Sequence, residues 1–306
     1  VDRQSGPDAD VSVDAALVAA LVAEQHPDLL GEVRPVAEGW DNAVFRLGRS
    51  LAVRAPRRRL GAELLAGELR WLPELADRLP LEVPVPVRAG SPAAGYPYHW
   101  SIVRWVPGTP LLEAGGDVDP AATGTALGRF CAALHRPAPQ SAPRNPWRGV
   151  PLAARAERLL ERLATLPAEV ERRAVVHAWQ RALDAPAWTG DPRWLHGDLH
   201  PANVIVRAGR VAGVIDFGDL TAGDPATDLS VAWMLPGFAA RHAVRAAYGP
   251  VDHATWERAR GNALAHAVAV LADGPRSGPL PTMALDTLRR VLADTAPGAA
   301  EPPPDA

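Results

Sequence analysis

Residues 196–219, HGDLHPANVIVRAGRVAGVIDFGD, restrict what this chain can become more than any other stretch. The apolar runs VIV and VAGVI flank the turn RAGR and predict a two-strand ribbon over 203–216. Asp198 and Asn203 precede the first strand, and Asp216 follows the second. Each sits beside a segment expected to be buried. Charge held against a core is costly unless something binds it, so the pattern asks for a bound partner.

Composition narrows the choice. With 306 residues, 47% hydrophobic and 22% charged, the chain can fill one large domain or two lobes and reads as folded rather than disordered. A net charge of −3 argues against a nucleic-acid partner bound through a general basic surface. All 32 basic residues are arginine, which matters at Arg54 below. Cys131 is the sole cysteine, so no disulfide framework or thiolate cluster is expected. Its helical spacing with Leu127, Phe130 and Leu134 predicts a packed core thiol. No run approaches the roughly 20 apolar residues that cross a bilayer. The N-terminus also lacks the pattern of a secretion signal, so no membrane partner and a cytoplasmic location are expected.

The texture changes along the chain. Periodicity predicts a helix over 11–25, three short strands over 31–57, a helix over 60–79, a proline-spaced segment over 79–92 and an aromatic strand over 96–108. Beyond that, helices are predicted over 119–136, 151–166, 168–184, 228–247, 253–273 and 281–293, interrupted by the ribbon. An α+β chain with a strand-rich part over 1–107, a helical part over 108–296 and a disordered proline-rich tail over 297–306 follows. Ligands commonly sit where two such parts meet.

Asn203 and Asp216 are hard oxygen donors that suit Mg2+, which keeps water and phosphate oxygens in its shell. Asp198 is then free to accept a proton from a hydroxyl, giving the minimum for moving a phosphoryl group. His196 reads as an orienter of the loop. His200 has no third partner to complete a zinc set.

HGDLHPAN followed by IDFGD resembles the Brenner-type motif of the aminoglycoside phosphotransferase family, antibiotic kinases related to the eukaryotic protein kinases. The loop has the kinase spacing of Asp, four residues, then Asn, and DFG follows a short hairpin. The resemblance implies a bilobal, protein-kinase-like fold with a small N-lobe and a larger helical C-lobe. It further implies ATP as donor (GTP not excluded), Mg2+ on Asn203 and Asp216, Asp198 as catalytic base, and a hydroxylated small-molecule acceptor.

Other positions gain roles through the same resemblance. The loop VAEGWDNAVFRLG takes the place of the nucleotide loop, with Gly39 allowing close backbone approach and Asp41 and Asn42 capping the turn. Arg54 falls where the family carries the lysine that holds the α- and β-phosphates, a departure that replaces a point charge with a fork. Its acidic partner is expected to be Glu68, with Glu63 second. Backbone groups of Arg104 and Val106 would read the purine. Asp228, opening a helix, is assigned structural support beside His196. Acceptor contacts are expected from Asp219, Asp224, Trp233 and Glu257, for an aminoglycoside or related amino sugar. Alternatives are a macrolide, a nucleoside antibiotic, a small metabolite alcohol, or a nucleotide-binding sensor without turnover. The RAPRR stretch resembles macrolide kinases, whereas Asn203 points back to aminoglycoside relatives. A monomer or homodimer is expected.

Overall fold

The computed structural model describes residues 9–115 and 118–295. The predicted tail at 297–306 lies outside them.

The N-terminal part is a five-stranded antiparallel sheet in the order β1-β2-β3-β5-β4. Its strands are β1 (Val33–Glu38), β2 (Asn42–Leu47), β3 (Leu51–Pro56), β4 (Pro86–Gly90) and β5 (Trp100–Arg104). Strand β2 alternates, burying Ala43, Phe45 and Leu47 on one face. Helix α1 (Ala15–Gln25) packs Val18, Leu21 and Val22 with that face, together with Trp100 and Ile102. It starts only after Asp14, whose side chain accepts from the Leu17 amide at 2.8 Å, so the predicted helix loses its first turn to a cap. Helix α2 (Arg59–Ala76) buries Leu65, Glu68, Trp71 and Leu72, one stripe at helical spacing with a carboxylate set into it.

Strand β4 was hidden in the proline-spaced segment. It lies at the sheet edge, where a residue without an amide donor does no harm.

The C-terminal part is helical. Helix α3 (Pro120–Leu134) is capped by Asp119 and carries the buried Leu127, Phe130, Cys131 and Leu134 as their spacing predicts. A 3-10 turn over Leu152–Arg155 replaces the start of the predicted 151–166 helix, leaving α4 (Ala156–Leu163); α5 (Arg172–Leu183) follows. Short strands β7 (Arg193–Leu195) and β10 (Thr221–Gly223) pair with each other on either side of the ribbon formed by β8 (Val204–Arg207) and β9 (Arg210–Val214). Strand β6 (Thr109–Pro110) extends that ribbon.

The single helix predicted over 228–247 is three: α6 (Ala226–Leu229), α7 (Val231–Met234) and α8 (Gly237–Tyr248). Pro236 has no amide to donate and forces Leu235 into an extended conformation, ψ 149°, which ends α7. Helix α8 lies close on α3, where a Cβ on Gly124 would fall 2.1 Å from the Ala240 carbonyl oxygen. Helix α9 (His253–Asp273) runs through the middle with Ala259, Ala263, Leu264, Ala267 and Val268 buried, and α10 (Pro279–Thr295) covers it. Among the described residues no helix is long and apolar enough to cross a membrane.

Candidate active site

The central strand β3 delivers Arg54 to the sheet's inner side. Its Nη1 donates to both Glu68 carboxylate oxygens at 2.6 Å, and its Nη2 donates to Asp216 Oδ1 at 2.8 Å. Burial opposes the charge on Arg54, but the two carboxylates outweigh it and hold the guanidinium protonated. Burial pushes the Glu68 carboxyl up from its ordinary range while Arg54 pulls it down. The second candidate, Glu63, is exposed and pairs with Arg59 at 2.9 Å. Glu68 is therefore the residue that fixes Arg54.

Asp216 ends the ribbon in a left-handed conformation, φ 64°, which a non-glycine residue adopts only when its surroundings impose it. That turn swings its carboxylate out of the core to 54% exposure, within reach of Arg54 and of solvent.

The loop that carries Asp198 leaves β7 at His196, which is fully buried. His196 Nδ1 accepts from the Asp198 amide at 3.2 Å and Nε2 faces the Ile215 carbonyl oxygen at 2.9 Å, an arrangement that puts the proton on Nε2. The ring thus ties the loop to the strand that carries Asp216. Asn203 makes a second tie. Its Nδ2 donates to the Asp198 carbonyl oxygen at 3.0 Å, and its own carbonyl oxygen accepts from the Ile215 amide at 2.9 Å.

Asp228, fully buried at the start of α6, anchors the whole loop from beneath. Its carboxylate accepts from the His196 amide at 2.7 Å and the Gly197 amide at 2.9 Å, and lies 3.1 Å from His135 Nε2. Burial would raise its pKa, but His135, His196 and the Gly197 amide bring it below the ordinary carboxylate range. Gly197 is required there: its φ is +87°, and a Cβ would fall 2.4 Å from the Asp219 carbonyl oxygen.

Asp198 is partly buried and lies 2.6 Å from Arg148 Nη2 and 3.4 Å from His200 Nε2. Burial opposes its ionisation, yet Arg148 and His200 hold its carboxyl well below the usual range. Arg148 Nε also donates to Asp219 Oδ2 at 3.1 Å, and Asp219 Oδ1 accepts from Asn145 Nδ2 at 2.6 Å. Nothing in RNPWRGV carries a periodicity or motif that would single out Asn145 or Arg148.

The β1–β2 loop folds over the start of α2. The Gly39 amide donates to the Asn42 carbonyl oxygen at 2.9 Å, closing the turn, and Asp41 pairs with Arg58 at 3.0 Å. Burial raises the Asp41 carboxyl against the pull of Arg58, and the charges of Asp219 and Asp216 add to the rise. Asn42 Oδ1 is buried without a partner. In the connecting segment the Arg104 amide is taken by the Val85 carbonyl oxygen at 2.9 Å, and the Val106 side chain is buried.

The residues expected to meet an acceptor are engaged within the protein. Asp224 is buried against Arg258 at 2.7 Å and accepts from the Ala226 amide at 3.0 Å. Trp233 is buried and donates from Nε1 to Asp294 at 2.8 Å. Glu257 pairs with Arg260 on its own helix.

Among the described residues no three His, Cys, Asp or Glu side chains form a group able to hold a metal unaided. Asp216, beside the fixed Arg54 guanidinium, and Asn203 are two oxygen donors of the kind that fits Mg2+ completed by phosphate oxygens and water.

Residues 32–261 match the family described as "Phosphotransferase enzyme family". A 52-residue stretch is 40% identical to the uncharacterized protein YcbJ of Bacillus subtilis (strain 168), spanning 16% of this chain and 17% of that protein. Among solved structures, the GDP complex of wild-type aminoglycoside 2'-phosphotransferase-IIIa superposes with a TM-score of 0.67 at 21% identity, covering 92% of this chain and 99% of that one. The apoenzyme of macrolide 2'-phosphotransferase MphH from Brachybacterium faecium gives 0.60 at 24% identity, covering 89% and 97%. At these identities the structures share the fold, which is bilobal and kinase-like.

Proposed function

The chain belongs to the phosphotransferase enzyme family, and from that premise we propose that it moves the γ-phosphoryl group of ATP to a hydroxyl of a hydroxylated, antibiotic-sized small molecule. The observation that carries this reading is one unbroken set of contacts. It runs from Glu68 through Arg54 to Asp216, and from the neighbouring Ile215 through His196 and Asn203 to Asp198.

The contacts and the family resemblance support the following roles. Arg54, locked by Glu68, grips the α- and β-phosphates, its fork taking the place of a lysine point charge. The β1–β2 loop with Gly39, Asp41 and Asn42 closes over the phosphates, and backbone groups near Arg104 and Val106 meet the purine. Asn203 and Asp216 would hold Mg2+, which when bound neutralises the phosphates. Asp198 orients the acceptor hydroxyl. As the acceptor O–Pγ bond forms and the bond from Pγ to the β-phosphate oxygen breaks, the hydroxyl proton passes to the Asp198 carboxylate. Because Arg148 keeps that carboxylate ionised, its part before transfer is orientation rather than strong basicity.

Labelled ATP offered with a panel of hydroxylated antibiotics and small alcohols tests this. Label moving to an acceptor is the expected result. Nucleotide binding with no transfer to any acceptor or to water would overturn it in favour of a sensor.

A further inference from the structure

A cavity of about 540 Å3 opens between the segment after β6, the start of α3, the turn joining α7 to α8, and α10. That volume falls within the roughly 300–1,000 Å3 of small-molecule sites. Leu111, Leu112, Pro201, Met234, Leu235 and Met283 make the wall largely apolar. Among the described residues four polar side chains share it, and each is engaged within the protein. The Thr123 hydroxyl donates to the Asp119 carbonyl oxygen at 2.8 Å, and the Thr282 hydroxyl to that of Gly278 at 3.1 Å. Asp286 accepts from Arg289 at 2.8 Å, and Arg290 Nη1 donates to the Trp233 carbonyl oxygen at 3.2 Å.

The cavity lies beside the reacting end of the site. Met234 also lines a small polar space of about 10 Å3, room for one water, that Asp198 lines from another side. Pro201 belongs to the loop that carries Asp198 and Asn203. Its carbonyl oxygen accepts from the Leu112 amide at 3.2 Å, which ties the apolar wall to that loop. The Met234 side chain thus stands between the cavity and the carboxylate that orients the hydroxyl.

We infer that the acceptor carries a compact apolar body beside its reacting hydroxyl, and that this cavity seats it. This rests on the phosphotransferase reading for placing the hydroxyl at Asp198. It departs from the amino-sugar expectation for a physical reason. Apolar surface buried here leaves water at a gain, whereas ammonium groups would lose hydration and, among the described residues, meet no unpaired carboxylate on the wall. The acids expected to receive them, Asp219, Asp224 and Glu257, are each paired with an arginine elsewhere.

Calorimetric titration of the full chain, saturated with Mg2+ and a non-hydrolysable ATP analogue, tests this without requiring turnover. The probes are methyl, butyl and hexyl β-glucoside, which share a head group and differ only in apolar length, with kanamycin as a polycation. Each methylene that enters the cavity should tighten binding by up to about fourfold, so hexyl glucoside should bind at least about tenfold more tightly than methyl glucoside. Thr282→Trp, at an exposed position on the wall, places an indole in the cavity and should remove most of that gain. Leu112→Gln, which makes the half-buried wall polar, should reduce it. Affinity for the ATP analogue reports that each variant is folded. Binding that does not tighten with chain length, a gain unchanged in both variants, or kanamycin bound more tightly than hexyl glucoside would overturn the inference. Label transfer to kanamycin with no chain-length gain would sink this inference and leave the kinase reading intact. A chain-length gain lost in Thr282→Trp, with no label transfer to any acceptor, would do the reverse.

Discussion

Arg54 and Glu68 meet through a guanidinium nitrogen 2.6 Å from both carboxylate oxygens, and both side chains are buried. A pair of this kind holds its charges only together. Glu68→Ala would leave Arg54 buried with Asp216 as its remaining carboxylate, and breaking such a pair costs about 3–5 kcal/mol. Urea unfolding should show an unfolding free energy lower by that amount, read as a fall in the midpoint at unchanged slope, and nucleotide affinity should fall with it. Glu63→Ala, which removes an exposed, solvent-screened pair with Arg59, should leave both unchanged.

Asp198→Ala should lower kcat by about two to four orders of magnitude, with little change in ATP affinity, in stopped assays of label transfer. Equal losses in both would remove Asp198 from its assigned role.

Arg148 sets the charge state of Asp198. With Arg148→Gln, burial is no longer opposed by the nearest guanidinium, so the Asp198 pKa rises. The acid limb of the kcat/KM profile should shift to higher pH relative to wild type. An acid limb that stays in place would show that Arg148 does not govern that carboxylate.

Asp228 gives a stability signature. Its folded pKa lies below the ordinary carboxylate value of 3.8. The stability it contributes is therefore complete above that value and is lost as pH falls through the lowered folded pKa. Asp228→Asn should depress the melting temperature at pH 7 by several degrees and narrow its gap to wild type near pH 3. A gap independent of pH would contradict the anchoring of the His196 and Gly197 amides by this carboxylate.

How much of this was written in the sequence depends on range. Asp198, Asn203 and Asp216 stood out because a short ribbon separates them, so their relation is local. Arg54 and Glu68 could be paired only through the family resemblance, which left Glu63 as a second candidate. The partners of the expected acceptor residues were not legible because they are distant in the chain. Asp224, in the turn before α6, meets Arg258 on α9, and Trp233 on α7 meets Asp294 on α10. Arg148 gave no signal, since it lies in an irregular loop. Pro236 shows the same limit in the fold: the apolar period runs through it, but its missing amide does not allow one helix.

The central claim is that Asn203 and Asp216 receive a divalent cation with the triphosphate while Asp198 waits beside them for a hydroxyl. Calorimetric titration of ATP analogue with and without Mg2+, on wild type, Asp216→Asn and Asp198→Asn, addresses it most directly. The account predicts that Asp216→Asn loses the Mg2+-dependent part of nucleotide affinity and that Asp198→Asn keeps it. A magnesium dependence in Asp216→Asn equal to wild type would contradict it.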